Sequence, residues 1–340
     1  MNSIRQIAKD WMLPIAMTVG VCSYLVYYSI PQLHIAGPLL EKAVGILQPL
    51  LIFTMLFFTF CRVKPEELRP HRWHWWLALI QGGVFAALGI GIMMLRKVLP
   101  GGHADWIVLM ESAMLCFICP TATAAAVVTG KLNGDVAGIT TYTIIINMVT
   151  ALLVPLIVPL VQPGSDVSFF TGFYMIMAKV FPLLIMPCLC AWMVRYLTPK
   201  LHRKLIKNPD IPFKIWSVGL ALALAVTTKS LVKSEMRLFL IVCIAGVSLL
   251  CCILQFVMGH IAGKRYHALK ASGQRRSQPS DNLIGRKTTC GQALGQKNTL
   301  FAIWMGYTFL TPETAVVGGF YSIWHNLFNA WQIYRAKKNM

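Results

Sequence analysis

The chain has 340 residues, of which 56% are hydrophobic and only 13% are charged. Because an average soluble domain carries about 25% charged residues, this composition excludes a soluble globular protein and indicates an integral membrane protein. The net charge of +19 would favour nucleic-acid binding in a soluble chain, but the basic residues of a membrane protein have to be assigned to loops first.

Ten apolar segments follow one another along the chain, each about as long as a helix needs to be to cross roughly 30 Å of hydrocarbon. They lack the alternating pattern of outer-membrane barrel strands, which favours a helical bundle. The first segment follows basic residues, as in a signal peptide, but its length predicts a helix that is retained. We place the transmembrane helices at 11–29, 39–61, 73–95, 106–130, 136–161, 170–195, 212–231, 237–262, 288–310 and 314–334.

The basic residues are distributed unevenly between the two sides of this bundle. With the amino terminus in the cytoplasm, 23 of the 31 Lys and Arg residues fall on the inner side and 6 on the outer side, while Lys179 and Lys297 lie inside spans. The positive-inside rule therefore predicts a multi-pass protein of the cell membrane, such as a bacterial inner membrane, with both termini cytoplasmic. Orientation and attraction to the anionic lipid of the bilayer explain the basic loop 264–287, so no nucleic-acid partner is expected.

Five predicted spans precede the polar stretch 161–172 (VQPGSDVSFFTG) and five follow it. Because five is odd, the second half enters the membrane from the opposite side, which is the topology of inverted repeats in secondary transporters. We therefore predict an all-α polytopic membrane protein with ten transmembrane helices arranged as two inverted five-helix repeats.

The fourth span of each half contains residues that interrupt a membrane helix. In the first half, Pro120 is followed by small residues and threonines; in the second, 291–299 (GQALGQKNT) is rich in glycine and polar side chains. Pro120 alone would indicate only a kink. Paired interruptions at corresponding places point instead to a transport site, so we predict that helices 4 and 9 are interrupted and cross.

These segments resemble the bile acid:sodium symporter family, whose members carry bile acids and other organic anions. The stretches 119–128 (CPTATAAAVV) and 134–137 (GDVA) are similar to the family's fourth helix, and 292–300 (QALGQKNTL) is similar to its ninth. Trp324-His325-Asn326 matches a motif of the tenth helix, and Gln81 matches a glutamine of the third.

The resemblance implies a carrier with two parts. A panel domain would comprise 1–72 and 162–233, and a core domain would comprise 73–161 and 234–340. The substrate would bind between the two parts, which alternate its access between the membrane sides. In the family two sodium ions lie behind the crossing of the interrupted helices.

The chain departs from the family at the sodium ligands. A Ser-Asn pair is replaced by Ala125-Ala126, a glutamate by Gln292, and an asparagine by Lys297. Sodium coupling is therefore expected to be altered or absent, and no other cofactor is expected. The residues that remain as relics of a cation site are Gln81, Thr143 and Gln296.

Lys297 is the most unusual of these replacements, because an ammonium group in mid-membrane costs about 2.5 to 3.5 kcal/mol on insertion scales. Our hypothesis is that it stands in for the cation, donating to carbonyl oxygens of the broken helices and to the amide oxygens of Gln81, Gln292 or Gln296. Three alternatives stay open: an ion partner for the substrate, a proton-exchanging amine, or a snorkelling or structurally paired lysine. Lys179 likewise either snorkels or faces a cavity.

The substrate is expected to be a small organic anion, either a simple carboxylate or a bile-acid-like molecule. Its predicted contacts are Thr121, Thr123, Lys297, Asn298 and Thr299. His325 and Asn326 are predicted to belong to a packed polar network.

Two other functions compete with a carrier whose sodium coupling is altered or absent: an ordinary sodium symporter with a rearranged site, and a non-transporting membrane sensor or scaffold. An enzyme is not expected, since no acid-base or metal constellation can be assembled, and the oligomeric state stays open.

Overall fold

The structure, a computed structural model, describes residues 12–62, 64–67, 69–98, 104–122, 124–161, 169–208, 211–233, 236–271 and 283–338. These residues are almost entirely helical, and none of them forms part of a β-strand longer than one isolated bridge. The α-helices are α1 (Met12–Ser29), α2 (Gly37–Arg62), α3 (Arg72–Val98), α4 (Ala104–Ile118), α5 (Ala124–Lys131), α6 (Val136–Val161), α7 (Phe169–Leu184), α8 (Met186–Leu197), α9 (Pro199–Ile206), α10 (Ile211–Lys233), α11 (Leu238–Ala271), α12 (Leu283–Gly295), α13 (Thr299–Phe309) and α14 (Pro312–Lys338).

Five helical segments in the described ranges are long and apolar enough to cross a membrane by themselves: Pro31–Arg62, Arg72–Val98, Val136–Val161, Phe170–Leu197 and Leu238–His267. At 1.5 Å per residue, the shortest of them extends about 39 Å, which exceeds the roughly 30 Å of bilayer hydrocarbon. The protein is therefore an all-α, multi-pass membrane protein.

Three of the ten predicted spans are divided into two helices. The fourth forms α4 and α5, and the ninth forms α12 and α13, as the interruptions in their sequences predict. The sixth is also divided, at Ile185, into α7 and α8. Proline has no N–H to donate to the preceding turn, so Pro187 in the first turn of α8 accounts for the break.

The helices pack in two sets. One set is centred on α2 and α10: α1 packs on α10, and α2 packs on α8 and α10. The other is centred on α11, which packs on α3, α4, α12 and α14. The two sets meet where α10 contacts α13 and α14, where α2 contacts α13, and where α7 packs on α6.

Two glycines allow α11 to lie directly against the backbone of α12. A Cβ atom at Gly259 would lie 2.8 Å from the Cα of Gly291, and one at Gly263 would lie 2.9 Å from the Cα of Lys287. Real Cβ atoms do not approach backbone this closely, so a larger residue would push the two helices apart. This contact fixes α12, and with it the second interrupted segment.

We expect Gly259→Val to destabilise the protein by about 1–3 kcal/mol or more, because overpacking against backbone cannot be relieved by a side-chain rotation. Gly246→Val is the matched control, since it introduces the same side chain on the same helix at a place where nothing lies within 4 Å. Thermal unfolding of both variants in detergent measures the difference. Equal melting temperatures for the two variants would contradict the close packing of α11 on α12.

Candidate functional site

The two interrupted segments meet and pair with each other in the middle of the bundle. Thr121 and Lys297 form an isolated antiparallel β-bridge. The backbone N–H of Ala122 donates to Gln296 O (2.9 Å), and that of Asn298 donates to Pro120 O (2.9 Å). Unwound backbone inside a membrane needs such partners, because no water is present to satisfy it. We call the paired segments, 119–122 and 296–298, the crossing.

Side chains from four other elements bind the carbonyl groups at the end of α4, which have no partners within the helix. The amide of Gln81 donates to Cys119 O (3.0 Å), the hydroxyl of Thr150 to Ile118 O (3.0 Å), and the amide of Gln255 to Cys116 O (3.2 Å). Lys297 completes the set, since its Nζ lies 3.4 Å from Phe117 O. The ammonium group therefore lies at the negative end of the α4 dipole, where a cation is favoured.

Among the described residues, the side chains that bind the end of α12 are uncharged. The hydroxyl of Thr121 donates to Ala293 O (2.6 Å), and that of Tyr321 donates to Gly295 O (2.8 Å). Thr121 and Lys297 lie opposite each other in the bridge, so each supplies one side chain to the helix end of the other segment. The pair is chemically unequal: one helix end receives an ammonium group, and the other receives a hydroxyl group.

Lys297 is only 1% exposed, although the lysine side chain is among the longest of the amino acids. Its observed acceptor is a carbonyl oxygen of the other broken helix, which is one of the two partner types that the sequence predicted. The predicted amide oxygens do not accept from Lys297. The oxygen of Gln81 accepts from the hydroxyl of Tyr142 (3.1 Å), and the oxygens of Gln292 and Gln296 have no hydrogen-bond partner among the described residues.

A small cavity lies between the crossing and the helices α2 and α10. Its volume is about 20 Å³, which is enough for one water molecule. One wall is formed by the crossing and the first turn of α13 and carries three polar residues, and the other is formed by apolar residues of α2 and α10. The lining residues are Ala122, Lys297, Asn298, Thr299 and Leu300 on the first side, and Met55, Trp216, Gly219, Leu220 and Ala223 on the second.

Three of the five predicted substrate contacts, Lys297, Asn298 and Thr299, line this cavity. Thr121 does not line it, because its side chain is fully buried and its hydroxyl donates to Ala293 O of α12. Thr123 lies outside the described residues. Asn298 caps α13 by accepting from the N–H of Phe301 (3.2 Å), while its amide nitrogen has no partner among the described residues.

The predicted relics of a cation site offer few ligands. Ala125 is fully buried and Ala126 is partly buried, and neither side chain has a ligand atom. The Thr143 hydroxyl donates to Ile139 O in its own helix (2.9 Å). Unpartnered side-chain oxygens remain only at Gln292 and Gln296 within this set, and it contains no carboxylate. Hard cations need several oxygen ligands, so these residues fit a sodium ion poorly.

No group of three or more His, Cys, Asp or Glu residues in the described part of the chain could hold a metal ion.

His325 and Asn326 lie on α14, away from the cavity lining. The ring of His325 packs edge-on against Tyr321, with centroids 5.6 Å apart, and its Nδ1 has no partner within the described ranges. The amide of Asn326 donates to Ser322 O (2.8 Å) one turn earlier.

Two neighbours on α14 that sequence reasoning missed, Asn329 and Gln332, accept from the amide nitrogen of Gln292. Asn326, Asn329 and Gln332 follow one another at intervals of three residues, which places them on one face of α14. This spacing is the sequence signal that could have identified Asn329 and Gln332 as part of a polar network.

No protein-family model matches the chain, and a search of curated proteins finds no match. The likeness to the bile acid:sodium symporters therefore rests on the sequence motifs alone.

Proposed function

We propose that this protein is a secondary transporter that moves a small organic anion across a cell membrane by alternating access, without a coupled sodium ion. The pairing of two interrupted helices at membrane depth carries this proposal. Broken helices of this kind expose helix termini and backbone groups to a substrate, and they recur at the centre of secondary transporters. A purely structural membrane bundle gains nothing from the cost of unwinding two helices in its middle.

The arrangement of ten helices as two inverted five-helix repeats is part of the proposal. Its support is the placement of the two breaks, one in the fourth predicted span of each half, and the antiparallel way in which they pair. Both termini would then lie in the cytoplasm.

The cavity supports a binding place between two moving parts. Its polar wall belongs to the crossing, within the proposed core domain of 73–161 and 234–340. Its apolar wall belongs to α2 and α10, within the proposed panel domain of 1–72 and 162–233. An anion is favoured because Lys297 and the amino-terminal end of α13, with its positive dipole, lie on the polar wall.

The apolar wall favours a carboxylate with a hydrocarbon or aromatic substituent. With room for about one water molecule, the cavity is closed to such a substrate until the panel and the core separate. This closed geometry is expected of one state in an alternating-access cycle.

In this proposal Lys297 supplies the positive charge that a bound cation would otherwise bring. Its ammonium group is tethered at the end of α4, where the sequence has lost a carboxylate and two polar ligands relative to the resembled family. The amine stays with the protein throughout the cycle, so the anion is the only ion that the carrier has to move.

A two-step experiment tests the carrier function. Thermal-shift measurements of the purified protein with benzoate, pyruvate and cholate identify an anion that stabilises the folded state, since a ligand that binds only the folded state raises the melting temperature. Uptake of that anion, radiolabelled, into proteoliposomes is then expected to exceed uptake into empty liposomes and to show trans-stimulation by unlabelled anion.

The same samples distinguish a carrier from a sensor or scaffold on the same fold. A sensor would bind the anion without flux. A cysteine placed at Ala223 in the cavity wall would then react with a membrane-impermeant maleimide from one membrane face only. A carrier is expected to expose that position from both faces. Binding without flux, together with labelling from a single face, would contradict the proposal.

A further inference from the structure

The short helix α9 is held against the ends of two membrane-crossing segments. It begins two residues after the segment Phe170–Leu197 ends. His202 of α9 is buried, and its Nε2 donates to Cys61 O (2.7 Å), next to the end of the crossing segment that terminates at Arg62. The guanidinium group of Arg62 donates to Asn208 O (3.0 Å), just past α9. These contacts fix α9 at the membrane surface.

Positive charge is concentrated on one face of this helix. From 195 to 208 the sequence contains five Lys and Arg residues and no Asp or Glu. Arg195 is used within the protein, since it donates to Cys61 O (3.0 Å). The other four are exposed and, at about 100° per residue, fall within an arc of about 100° on the side away from His202. This basic face comprises Lys200, Arg203, Lys204 and Lys207, the last of which follows α9 with helical backbone angles.

The charges of the basic face repel one another. Residues three or four positions apart are neighbours on a helix surface, and like charges at this spacing destabilise the helix. The two central residues, Arg203 and Lys204, each have a basic neighbour one turn before them and one turn after them. A bound anion removes this repulsion, so the basic face favours a negatively charged ligand.

Exposed apolar residues on and beside α9 indicate that this ligand belongs to the membrane. Leu201 and Ile206 flank the anchored side of α9 and are 47% and 36% exposed, and Leu197 at the end of α8 is 72% exposed. A helix with apolar residues on one side and Lys and Arg on the other lies in the interface between hydrocarbon and headgroups. At that depth the basic face lies beside the phosphates of the lipids.

We propose that α9 is a binding site for an anionic phospholipid, whose headgroup phosphate is held by Arg203 and Lys204 at the centre of the basic face. Arginine and lysine are both suited to this role, because their N–H groups donate charge-assisted hydrogen bonds to phosphate oxygens. The site depends on the membrane location of the protein and not on the proposed carrier function, so either proposal can fail while the other stands.

Titration of the full-length protein in uncharged detergent with phosphatidylglycerol, and separately with phosphatidylcholine, tests the site. Native mass spectrometry measures the apparent Kd of each lipid, and thermal unfolding measures its effect on stability. Phosphatidylglycerol is expected to bind more tightly and to raise the melting temperature more, since a ligand of the folded state stabilises it. Equal binding and equal stabilisation by the two lipids would overturn the inference.

The double variant Arg203→Gln/Lys204→Gln is expected to raise the apparent Kd for phosphatidylglycerol about 10- to 30-fold, because each basic residue near an anionic lipid surface contributes about fivefold. Its melting temperature without added lipid is expected to be no lower than that of the wild type, since both side chains are exposed. The charge-preserving variant Arg203→Lys/Lys204→Arg is expected to retain binding.

The matched control is Lys264→Gln/Arg265→Gln, which removes the same two charges near the end of the crossing segment Leu238–His267. Both residues are exposed on α11, but neither has another Lys or Arg one turn away. This control is expected to change the apparent Kd by less than about threefold. An equal loss of binding in the two double variants would show a diffuse attraction of the whole basic surface and would overturn the site.

A final arm separates a lipid from a soluble phosphate. Glycerol phosphate carries the same charged group without acyl chains, and it is expected to leave the melting temperature unchanged at concentrations at which phosphatidylglycerol raises it. Equal stabilisation by glycerol phosphate would assign the basic face to a soluble anion and overturn the assignment to a lipid.

Discussion

Lys297→Met is expected to reduce anion flux by about 100-fold or more while leaving the melting temperature no lower than that of the wild type. The loss of flux follows from the loss of the charge-assisted contact that our proposal assigns to Lys297 and the substrate, which is worth about 1.5–3 kcal/mol. The unchanged stability follows from the burial of the side chain, because methionine has a similar length and removes the desolvation cost of a buried ammonium group. Counterflow in proteoliposomes and thermal unfolding in detergent measure the two effects on one preparation.

A loss of flux without a loss of stability separates a functional lysine from a structural one. Lys200→Met makes the same chemical change on the exposed surface of α9 and is expected to alter neither quantity. A Lys297→Met protein that unfolds several degrees earlier and retains flux in its folded fraction would show that the ammonium group serves only to hold α4 and α13 together.

Gln81→Leu is expected to destabilise the protein by about 2–5 kcal/mol. The amide of Gln81 donates to Cys119 O (3.0 Å), and its oxygen accepts from the hydroxyl of Tyr142 (3.1 Å). Leucine would leave both of these buried groups without a partner, at about 1–3 kcal/mol each. The free energy of unfolding in detergent, measured by denaturant titration, gives the magnitude.

Gln48→Leu is the matched control for this substitution. Gln48 is also buried, on α2, but its amide nitrogen has no partner within the described ranges. Its replacement by leucine therefore removes an unsatisfied polar group and is expected to be neutral or stabilising. Equal destabilisation by the two substitutions would mean that Gln81 does not hold the crossing in place.

The helices and the two breaks could be predicted from sequence because each depends on a local signal. Long apolar runs specify membrane helices whatever their neighbours are, and their predicted bounds lie within a few residues of the observed ones in most spans. Pro120 and the polar run ending at Thr299 interrupt helices because they remove or compete for backbone hydrogen bonds. These signals do not depend on which residues lie across the bundle.

The partners of the buried polar groups could not be predicted, because they depend on the rotation of each helix about its axis. Gln255, Thr150 and Tyr321 bind the ends of the broken helices, yet in the sequence each is an isolated polar residue in an apolar run. The same reason explains why the hydroxyl of Thr121 donates to α12 rather than facing the cavity. The short helix α9 was also missed, since eight residues between two spans are too few for a periodic pattern.

The crossing has one chemical asymmetry. At the two facing places of the bridge, the first interrupted segment carries a threonine and the second carries a lysine. The charge therefore lies at one helix end only, that of α4, and the other end is satisfied by hydroxyl groups. A single fixed positive charge beside a small cavity is suited to one monovalent anion, which is the substrate class that we propose.

Uptake of the stabilising anion by wild-type proteoliposomes, in potassium buffer free of sodium and again with an inward sodium gradient, tests most directly whether Lys297 replaces a mobile cation. Our account predicts the same initial rate and the same accumulation under the two conditions. Uptake that occurs only with the sodium gradient would contradict it, because a mobile sodium ion would then supply the charge that we assign to the tethered amine.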